Sequence, residues 1–229
     1  MRLREVELLA FDADDTLWDC QSHFNKVEDD YFSLLAPYGE RDQLYEKFFA
    51  TEQGNMATLG YGSKAFTISL VENAIRVSHG TISAQNISRI IDLGKSLLEM
   101  PSDPLPGVEE TLDKLAHLRK IVFTKGEIIE QENKLRRSGL LKHFADVIVV
   151  SDKTEESYWR ICRMWNLAPR NLIMIGNSFK SDIAPALSIG SYAMYIPYHV
   201  TWRMEHSEEF EHERLIRLSK FEEIIEYFY

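Results

Sequence analysis

The sequence predicts an α/β fold in which a parallel sheet carries helices on both faces and is interrupted by an all-helical insert. Three observations predict it. Short apolar runs alternate with amphipathic stretches through the second half of the chain, which is typical of parallel strands joined by helices. The long interval after the first apolar run contains no convincing strand. A proline-rich segment at 100–107 ends that interval and restores the alternation.

Five short apolar runs are predicted to form the buried strands of a Rossmann-like sheet. They are Val6–Phe11, Ile121–Thr124, Val147–Val150, Leu172–Ile175 and Tyr192–Ile196. Amphipathic helices are expected at Thr111–Leu118, Glu127–Arg137, Glu155–Trp165, Ser181–Ser188 and Ser219–Tyr229. Because crossovers between parallel strands are right-handed, the carboxyl ends of the strands meet at one edge, where ligands bind in such sheets.

The interval between the first two strands is predicted to be a separate helical domain. Turn signals divide it into helices at Ser22–Leu35, Arg41–Thr51, Ser63–Ser78 and Ala84–Leu98. We therefore predict an α/β core domain of residues 1–18 and 101–229 and a helical domain of residues 19–100. Hinges are expected near Asp19 and Pro101–Pro106, where closely spaced prolines stiffen the chain.

Composition excludes several classes of partner. With 26 basic and 36 acidic residues the net charge is −10, whereas non-specific binding to nucleic acid or to a membrane surface needs a basic face. No apolar run approaches the ~18 residues of a membrane span. The two cysteines, Cys20 and Cys162, form no CxxC pair, which fits a reducing compartment. We expect no nucleic-acid or membrane partner and a cytoplasmic location.

The most informative motif, Asp12-Ala13-Asp14-Asp15-Thr16, follows the first predicted strand. Side chains alternate along a strand, so Asp12 and Asp14 lie on the same side. Burying two carboxylates there is costly unless a cation or a reaction needs them. One carboxylate can act as a nucleophile while its neighbour acts as acid and base, and together they can hold magnesium. The motif therefore indicates an aspartyl-phosphate enzyme.

Three further motifs lie near the carboxyl ends of later predicted strands. They are Thr124 in Val122–Gly126, Lys153 ahead of Tyr158, and the loop Gly176–Asp182. With the DxDxT motif, and in this order and spacing, they resemble the haloacid dehalogenase superfamily and in particular its phosphatases. The resemblance covers the whole chain and implies the α/β core with an inserted helical cap.

The resemblance also implies a role for each residue. Asp12 would attack phosphorus, and Asp14 would protonate the leaving oxygen and later deprotonate water. Thr124 would hold phosphate oxygens, and Lys153 would neutralise both the nucleophile and the phosphate. The implied cofactor is Mg²⁺, and the implied substrate is a small-molecule phosphate ester.

The implied magnesium ligands are Asp12, the main-chain carbonyl of Asp14, and Asn177 and Asp182 of the fourth motif. Asn177 departs from the family pattern, which usually places an aspartate there. An amide oxygen still binds magnesium but removes one negative charge, so weaker metal binding is expected. Asp182 can compensate through a bound water.

The same residues leave other functions open. Family dehalogenases lack the second carboxylate, because a halide leaving group needs no proton, so Asp14 favours hydrolysis of a phosphate ester. A phosphosugar mutase of the superfamily would also keep Asp14. The departure at Asn177 leaves open a catalytically silent relative that binds or regulates. An exposed face of the helical domain would also allow a homodimer.

Several positions have a weaker functional interpretation. Lys125, next to Thr124, is a candidate substrate contact, as is Lys64 at the turn between two helices of the insert; a solvated lysine is the alternative for Lys64. Asp15, where many relatives have glycine, is expected to face solvent. The charged stretch Glu205–Arg214 is expected to be a solvated face rather than a metal site.

Overall fold

The computed structural model describes residues 3–229 and divides the chain into two compact units. The α/β unit comprises the described part of Met1–Gln21 together with Pro101–Tyr229. The helical unit comprises Ser22–Met100. In the described part of the chain, no helix combines the length and the apolar character that a membrane span requires.

Within residues 3–229, six parallel strands form one sheet: β1 (Leu8–Phe11), β2 (Arg119–Lys125), β3 (Asp146–Val150), β4 (Leu172–Gly176), β5 (Tyr192–Tyr195) and β6 (Leu215–Arg217). Their order is β3-β2-β1-β4-β5-β6. The chain moves outward from β1 through β2 and β3 and then returns to the other side of β1. The order therefore reverses at β1, and the carboxyl end of β1 lies where such sheets bind ligands.

The predicted fold class is confirmed, although the bounds of the predicted strands differ by one or two residues and one strand was not predicted. β1 begins at Leu8 rather than Val6. The sixth strand was missed, because its three residues end in the exposed Arg217 and present no apolar run. Its register is nevertheless set by a parallel ladder that pairs Ile216 with Met194 of β5.

The helical unit is built from four α-helices: α1 (Gln21–Leu35, whose first residue belongs to the α/β unit), α2 (Arg41–Leu59), α3 (Ser63–Val77) and α4 (Ala84–Leu97). Helix α2 runs past the predicted end at Thr51. Its core is aromatic: the rings of Phe48 and Phe66 meet edge to face with centroids 5.5 Å apart. Helices α3 and α4 approach closely at Gly94, where an added Cβ would overlap Thr67.

Polar groups in this core are largely paired. The Tyr31 hydroxyl donates to the Leu70 carbonyl at 3.0 Å and accepts from the Asn73 amide at 2.8 Å. Both side chains are fully buried. Because an unpaired polar group costs more when it is buried, these bonds fix how α1 packs on α3.

The α/β unit adds α5 (Val108–Lys114), α6 (Ile128–Arg137), α7 (Glu155–Met164) and α8 (Ala184–Ser188). They cover both faces of the sheet. Leu9 and Phe11 pack in a core with α5 and α6, whereas Leu8 and Ala10 pack in a second core with α7 and α8. The period-two alternation of β1 thus explains why its whole length is apolar.

Two predicted helices have a different form. The segment predicted as Ser181–Ser188 begins with a π-helical turn, Phe179–Ile183, before α8. The segment predicted as Ser219–Tyr229 is a 3₁₀ helix over Phe221–Tyr227. π-Turns are rare and are often found at functional sites, which directs attention to the loop after β4.

Candidate active site

The centre of the site is the residue that follows β1. Asp12 extends the strand by one residue, because its amide donates to the Ile175 carbonyl of β4 at 2.9 Å. The parallel register pairs Phe11 with Val122 of β2 on one side and with Ile175 of β4 on the other. The carboxylate therefore emerges between the ends of two neighbouring strands.

Lys153 joins two carboxylates at this edge. Its Nζ lies 2.5 Å from Asp12 Oδ1 and 2.6 Å from Asp182 Oδ1, and its side chain is 1% exposed. It reaches the site from the turn after β3 and passes over the ring of Phe123 at 5.4 Å. A buried cation between two carboxylates neutralises charges that would otherwise repel each other.

Burial and neighbouring charges determine the protonation states of Asp12 and Lys153. Burial, together with the nearby Asp182 charge, raises the pKa of Asp12 to about 7 against the opposing effect of Lys153. Burial alone would lower the pKa of Lys153, but the Asp12 and Asp182 carboxylates outweigh it and raise that pKa. The ammonium therefore stays charged across the physiological range.

The loop after β4 is shaped to present Asp182. Asp182 Oδ2 accepts from the Ser178 amide at 2.9 Å, and the carboxylate lies so close to Gly176 that any Cβ there would overlap it. The hydroxyl of the buried Tyr158 is shared between the carbonyls of Ser181 and Asp182, at 3.0 Å each. Glycine at the strand end and tyrosine from α7 thus fix the π-turn.

Three oxygen positions converge beside Asp12. The side-chain amide atom of Asn177 that faces this group lies 3.3 Å from Asp12 Oδ2, 3.3 Å from the Asp14 main-chain oxygen and 3.1 Å from Thr16 Oγ1. If this atom is the amide nitrogen, it donates hydrogen bonds to these acceptors. If it is the amide oxygen, it faces the Asp12 carboxylate oxygen and the Asp14 carbonyl oxygen, and such an arrangement is favourable only around a cation. Neighbouring ligands of an octahedral Mg²⁺ with bonds near 2.1 Å are about 3 Å apart.

The converging set therefore fits a magnesium ion by the number and kind of its oxygens. It combines a carboxylate, a main-chain carbonyl and an amide, which are hard donors of the sort Mg²⁺ takes together with water. Among residues 3–229, no cluster of three His, Cys, Asp or Glu side chains could hold a metal. The site fits a metal only because main-chain and amide oxygens replace two of those side chains.

The Asp14 side chain is held by three donors. Its carboxylate accepts from Trp18 Nε1 at 2.7 Å, from Gln131 Nε2 at 2.7 Å and from Lys134 Nζ at 3.1 Å. Burial would raise the pKa of Asp14, but Lys134 and these hydrogen bonds outweigh it and lower that pKa. Asp14 is therefore held as the ionised carboxylate.

Lys134 and Gln131 were missed by the sequence reasoning. Lys134 is 1% exposed and lies 3.3 Å from the buried Glu130 carboxylate and 3.6 Å from Cys20 Sγ. Its main-chain carbonyl accepts from Ser102 Oγ at 2.8 Å. The sequence offered one indication of their position. Polar residues recur at spacings of three and four along one face of α6, the helix that follows the Thr124 motif, which predicts that they share a face.

Thr124 and Lys125 end β2, the strand beside β1. Thr124 is buried, and its hydroxyl donates to the Lys125 carbonyl at 3.2 Å. Lys125 Nζ bonds Ser181 Oγ at 2.8 Å and Glu205 Oε1 at 2.5 Å. Residues 206–213 are exposed, as expected of a solvated face over Glu205–Arg214, but Glu205 departs from that expectation because its side chain is only 12% exposed.

Asp15 also differs from expectation. Rather than facing solvent, its Oδ1 accepts from the amides of Cys20 at 2.8 Å and Gln21 at 3.0 Å. Its φ of 61° is a conformation that glycine adopts without strain and that aspartate tolerates better than most residues. Burial raises the pKa of Asp15 to about 7. Lys64 is an exposed residue in the first turn of α3 in the helical unit.

Comparison with known proteins assigns the family. A family model of haloacid dehalogenase-like hydrolases matches residues 6–190. The chain belongs to the haloacid dehalogenase-like hydrolases. It is also similar to the crystal structure of a haloacid dehalogenase-like family hydrolase from Xanthomonas campestris, with 32% identity and a TM-score of 0.85 over 94% of this chain and 87% of that one. The expected family is therefore confirmed.

More distant solved structures share the fold of these hydrolases. A predicted phosphoglycolate phosphatase from Haemophilus somnus is 15% identical, with a TM-score of 0.63 over 97% of each chain. The HAD-hydrolase YfnB from Bacillus subtilis, described as bound to magnesium, is 16% identical, with a TM-score of 0.64 over 99% of this chain and 98% of that one. A search of curated proteins found no match.

Proposed function

We propose that this hydrolase is a magnesium-dependent phosphatase that acts on a small phosphorylated metabolite through an aspartyl-phosphate intermediate. One observation carries the proposal: the Asn177 amide lies 3.3 Å from both the Asp12 carboxylate and the Asp14 carbonyl, beside the pair formed by Asp12 and Lys153. A phosphate dianion needs a cation in order to approach a carboxylate, whereas an alkyl halide does not.

Asp12 is proposed as the nucleophile. Its Oδ1 is held by Lys153 at 2.5 Å and its Oδ2 accepts from Thr16 Oγ1 at 3.2 Å, so the carboxylate is oriented before substrate arrives. Attack forms a bond between a carboxylate oxygen and phosphorus while the bond from phosphorus to the ester oxygen breaks. Water then cleaves the aspartyl phosphate and restores the carboxylate.

Asp14 is proposed as the acid and base. With its three hydrogen-bond donors in place Asp14 is ionised, which suits removal of a proton from the attacking water in the second step. To protonate the leaving oxygen in the first step, Asp14 has to carry a proton against the stabilising charge of Lys134. The three donors around Asp14 thus favour the ionised form that the second half of the reaction uses.

The remaining residues neutralise and bind. Mg²⁺ held by Asp12, the Asp14 carbonyl and Asn177, with Asp182 acting through water, would reduce repulsion between the nucleophile and the phosphate. Thr124 is proposed to hold a phosphate oxygen. Lys125 already binds Glu205 and Ser181, so it is a weaker candidate for a substrate contact than the sequence indicated.

We also propose that the helical unit serves as a cap that excludes water and selects a small substrate. The support is its position in the sequence, between the DxDxT motif and the Thr124 motif, where the family carries its helical cap. Lys64 remains the proposed contact from this unit to an anionic group.

The proposal is tested by release of phosphate from p-nitrophenyl phosphate with and without magnesium, in the wild type, in Asp12→Asn and in Asp113→Asn. Asp113 carries a carboxylate that is 66% exposed, so it is the matched control. We expect turnover that requires magnesium, persists in Asp113→Asn and disappears in Asp12→Asn. Turnover without magnesium, or unchanged turnover in Asp12→Asn, would refute the proposal.

A further inference from the structure

Glu205 is a largely buried carboxylate outside the four family motifs. It lies between β5 and β6, in a 3₁₀ turn at Arg203–Glu205, and its side chain is 12% exposed. Its Oε2 accepts from Ser178 Oγ at 2.5 Å and from Ser181 Oγ at 2.6 Å. Its Oε1 binds Lys125 Nζ at 2.5 Å. Both oxygens are therefore committed to the two neighbouring motifs.

The partners of Glu205 come from opposite sides of the site. Lys125 follows Thr124 at the end of β2, whereas Ser178 and Ser181 belong to the loop after β4 that carries Asn177 and Asp182. Lys125 also donates directly to Ser181 at 2.8 Å, which closes a ring of polar contacts. We refer to Lys125, Ser178, Ser181 and Glu205 as the clamp.

The charges of the clamp are matched and shielded. The side chains of Lys125 and Glu205 are 13% and 12% exposed. Burial would raise the pKa of Glu205, but Lys125 and the two serine hydroxyls outweigh it and lower that pKa. A shielded ion pair with further hydrogen bonds is costly to break by removing one member, because the remaining charge is left unpaired.

The loop needs support from outside itself. Its π-turn widens the backbone at the residues that present Asp182 to Lys153. Tyr158 holds the carbonyls of Ser181 and Asp182 from α7. Glu205 holds the side chains of Ser178 and Ser181. The loop is thus bound through main chain and side chains from two separate elements.

We propose that Glu205 is a positioning residue, and that the clamp fixes the fourth-motif loop against the end of β2. It thereby sets the separation between Thr124, on the phosphate side, and Asn177 and Asp182, on the metal and lysine side. The effect on catalysis rests on the proposed phosphatase function. The effect on the order of the loop does not.

The first test measures hydrogen exchange in a peptide covering residues 176–184. Glu205→Gln preserves size but removes the charge that pairs with Lys125 and replaces one of the two acceptor oxygens by an amide donor. The control, Glu209→Gln, alters a 44% exposed carboxylate of the same segment that pairs with Arg217. We expect faster exchange in this peptide for Glu205→Gln and wild-type exchange for Glu209→Gln. Equal exchange in all three proteins would overturn the proposal.

The second test separates kcat from KM. Misplaced catalytic groups lower kcat by about 10- to 100-fold, and we expect this with KM for p-nitrophenyl phosphate little changed in Glu205→Gln. Lys125→Met should lower kcat similarly, and the double variant should be no worse than the poorer single one, since either change opens the clamp. Additive losses, or a rise in KM alone, would contradict a positioning role.

Two controls keep these outcomes distinct. If Glu205→Gln does not fold, as judged by circular dichroism, Ser181→Ala removes two contacts of the clamp and should raise exchange in the same peptide. Unchanged exchange there overturns the proposal. If the wild type releases no phosphate, the phosphatase proposal fails while the exchange result alone decides whether Glu205 orders the loop.

Discussion

The two units of this protein are stabilised by different kinds of buried group. In the α/β unit, the buried cations Lys153 and Lys134 each contact two acidic side chains. In the helical unit, the core rests on aromatic rings such as Phe48 and on neutral hydrogen bonds such as that of Tyr31 with Asn73. Buried charge is costly to keep, so its concentration in the α/β unit supports the proposal that the active site lies there.

The largest effect on turnover and stability is expected when a buried charge of the α/β unit is removed. Lys153→Met keeps the length of the side chain but leaves Asp12 and Asp182 facing each other without a cation. We expect turnover to fall by about 10²–10³-fold or more, as for loss of one preorganised electrostatic contact. We also expect a loss of about 3–5 kcal/mol in the free energy of unfolding, measured by urea titration.

The control for Lys153→Met is Lys142→Met, which removes an exposed lysine that pairs with Glu109 on the surface. Its stability and turnover should remain close to wild type, because exposed pairs contribute little. A Lys153→Met protein as active as Lys142→Met would show that the buried charges have no part in turnover.

The matching change in the helical unit removes an aromatic ring. Phe48 is 1% exposed and contacts Tyr31, Phe32 and Phe66. Phe48→Ala should cost about 3–5 kcal/mol in unfolding free energy, since truncation leaves a cavity in a packed core. Ile75→Ala, at a 47% exposed position on α3, is the control and should cost far less. Equal losses in both variants would show that the aromatic cluster is not the core of this unit.

The smallest effect concerns one acidic group of the helical unit. Burial, with the neighbouring Asp29 charge, raises the pKa of Glu28 to about 7. The native state then binds a proton more tightly than the unfolded chain, so stability should fall as pH rises from about 4.5 to 7. Glu28→Gln should weaken that fall and melt higher than wild type at pH 8.

Melting temperatures between pH 5 and pH 8 check the behaviour of Glu28. Glu40→Gln, at an exposed position of the same unit, is the control and should follow the wild-type curve. If Glu28→Gln also follows that curve, the carboxylate of Glu28 is not perturbed in the native protein.

Much of the fold was predictable because its signals are local. The apolar run that ends at Phe11 and those at Ile121–Thr124 and Leu172–Ile175 are strands because they are buried on both faces. Their parallel order brings Asp12, Lys153 and Asp182 into contact, which is why motifs far apart in the sequence could be grouped. The functional roles of these residues remain predictions.

The partners of the motif residues could not be predicted in the same way. Glu205 belongs to a stretch whose composition resembles a solvated surface, and only the path of the chain between β5 and β6 buries it. In the sequence, Lys134 cannot be distinguished from a lysine on the exposed face of a helix. Its burial follows from the face of α6 that packs beside Asp14, which depends on tertiary contacts.

The sheet order has a consequence for how the protein is made. The central strand is synthesised first, but Lys153, which binds Asp12, lies 141 residues further along the chain. Asn177, which meets Thr16, lies 161 residues away. Contacts at such separation form slowly, because a long loop has to close before they are made. On the ribosome, the contact between Asp12 and Lys153 can therefore form only after most of the chain has been synthesised, so this edge of the sheet is completed late.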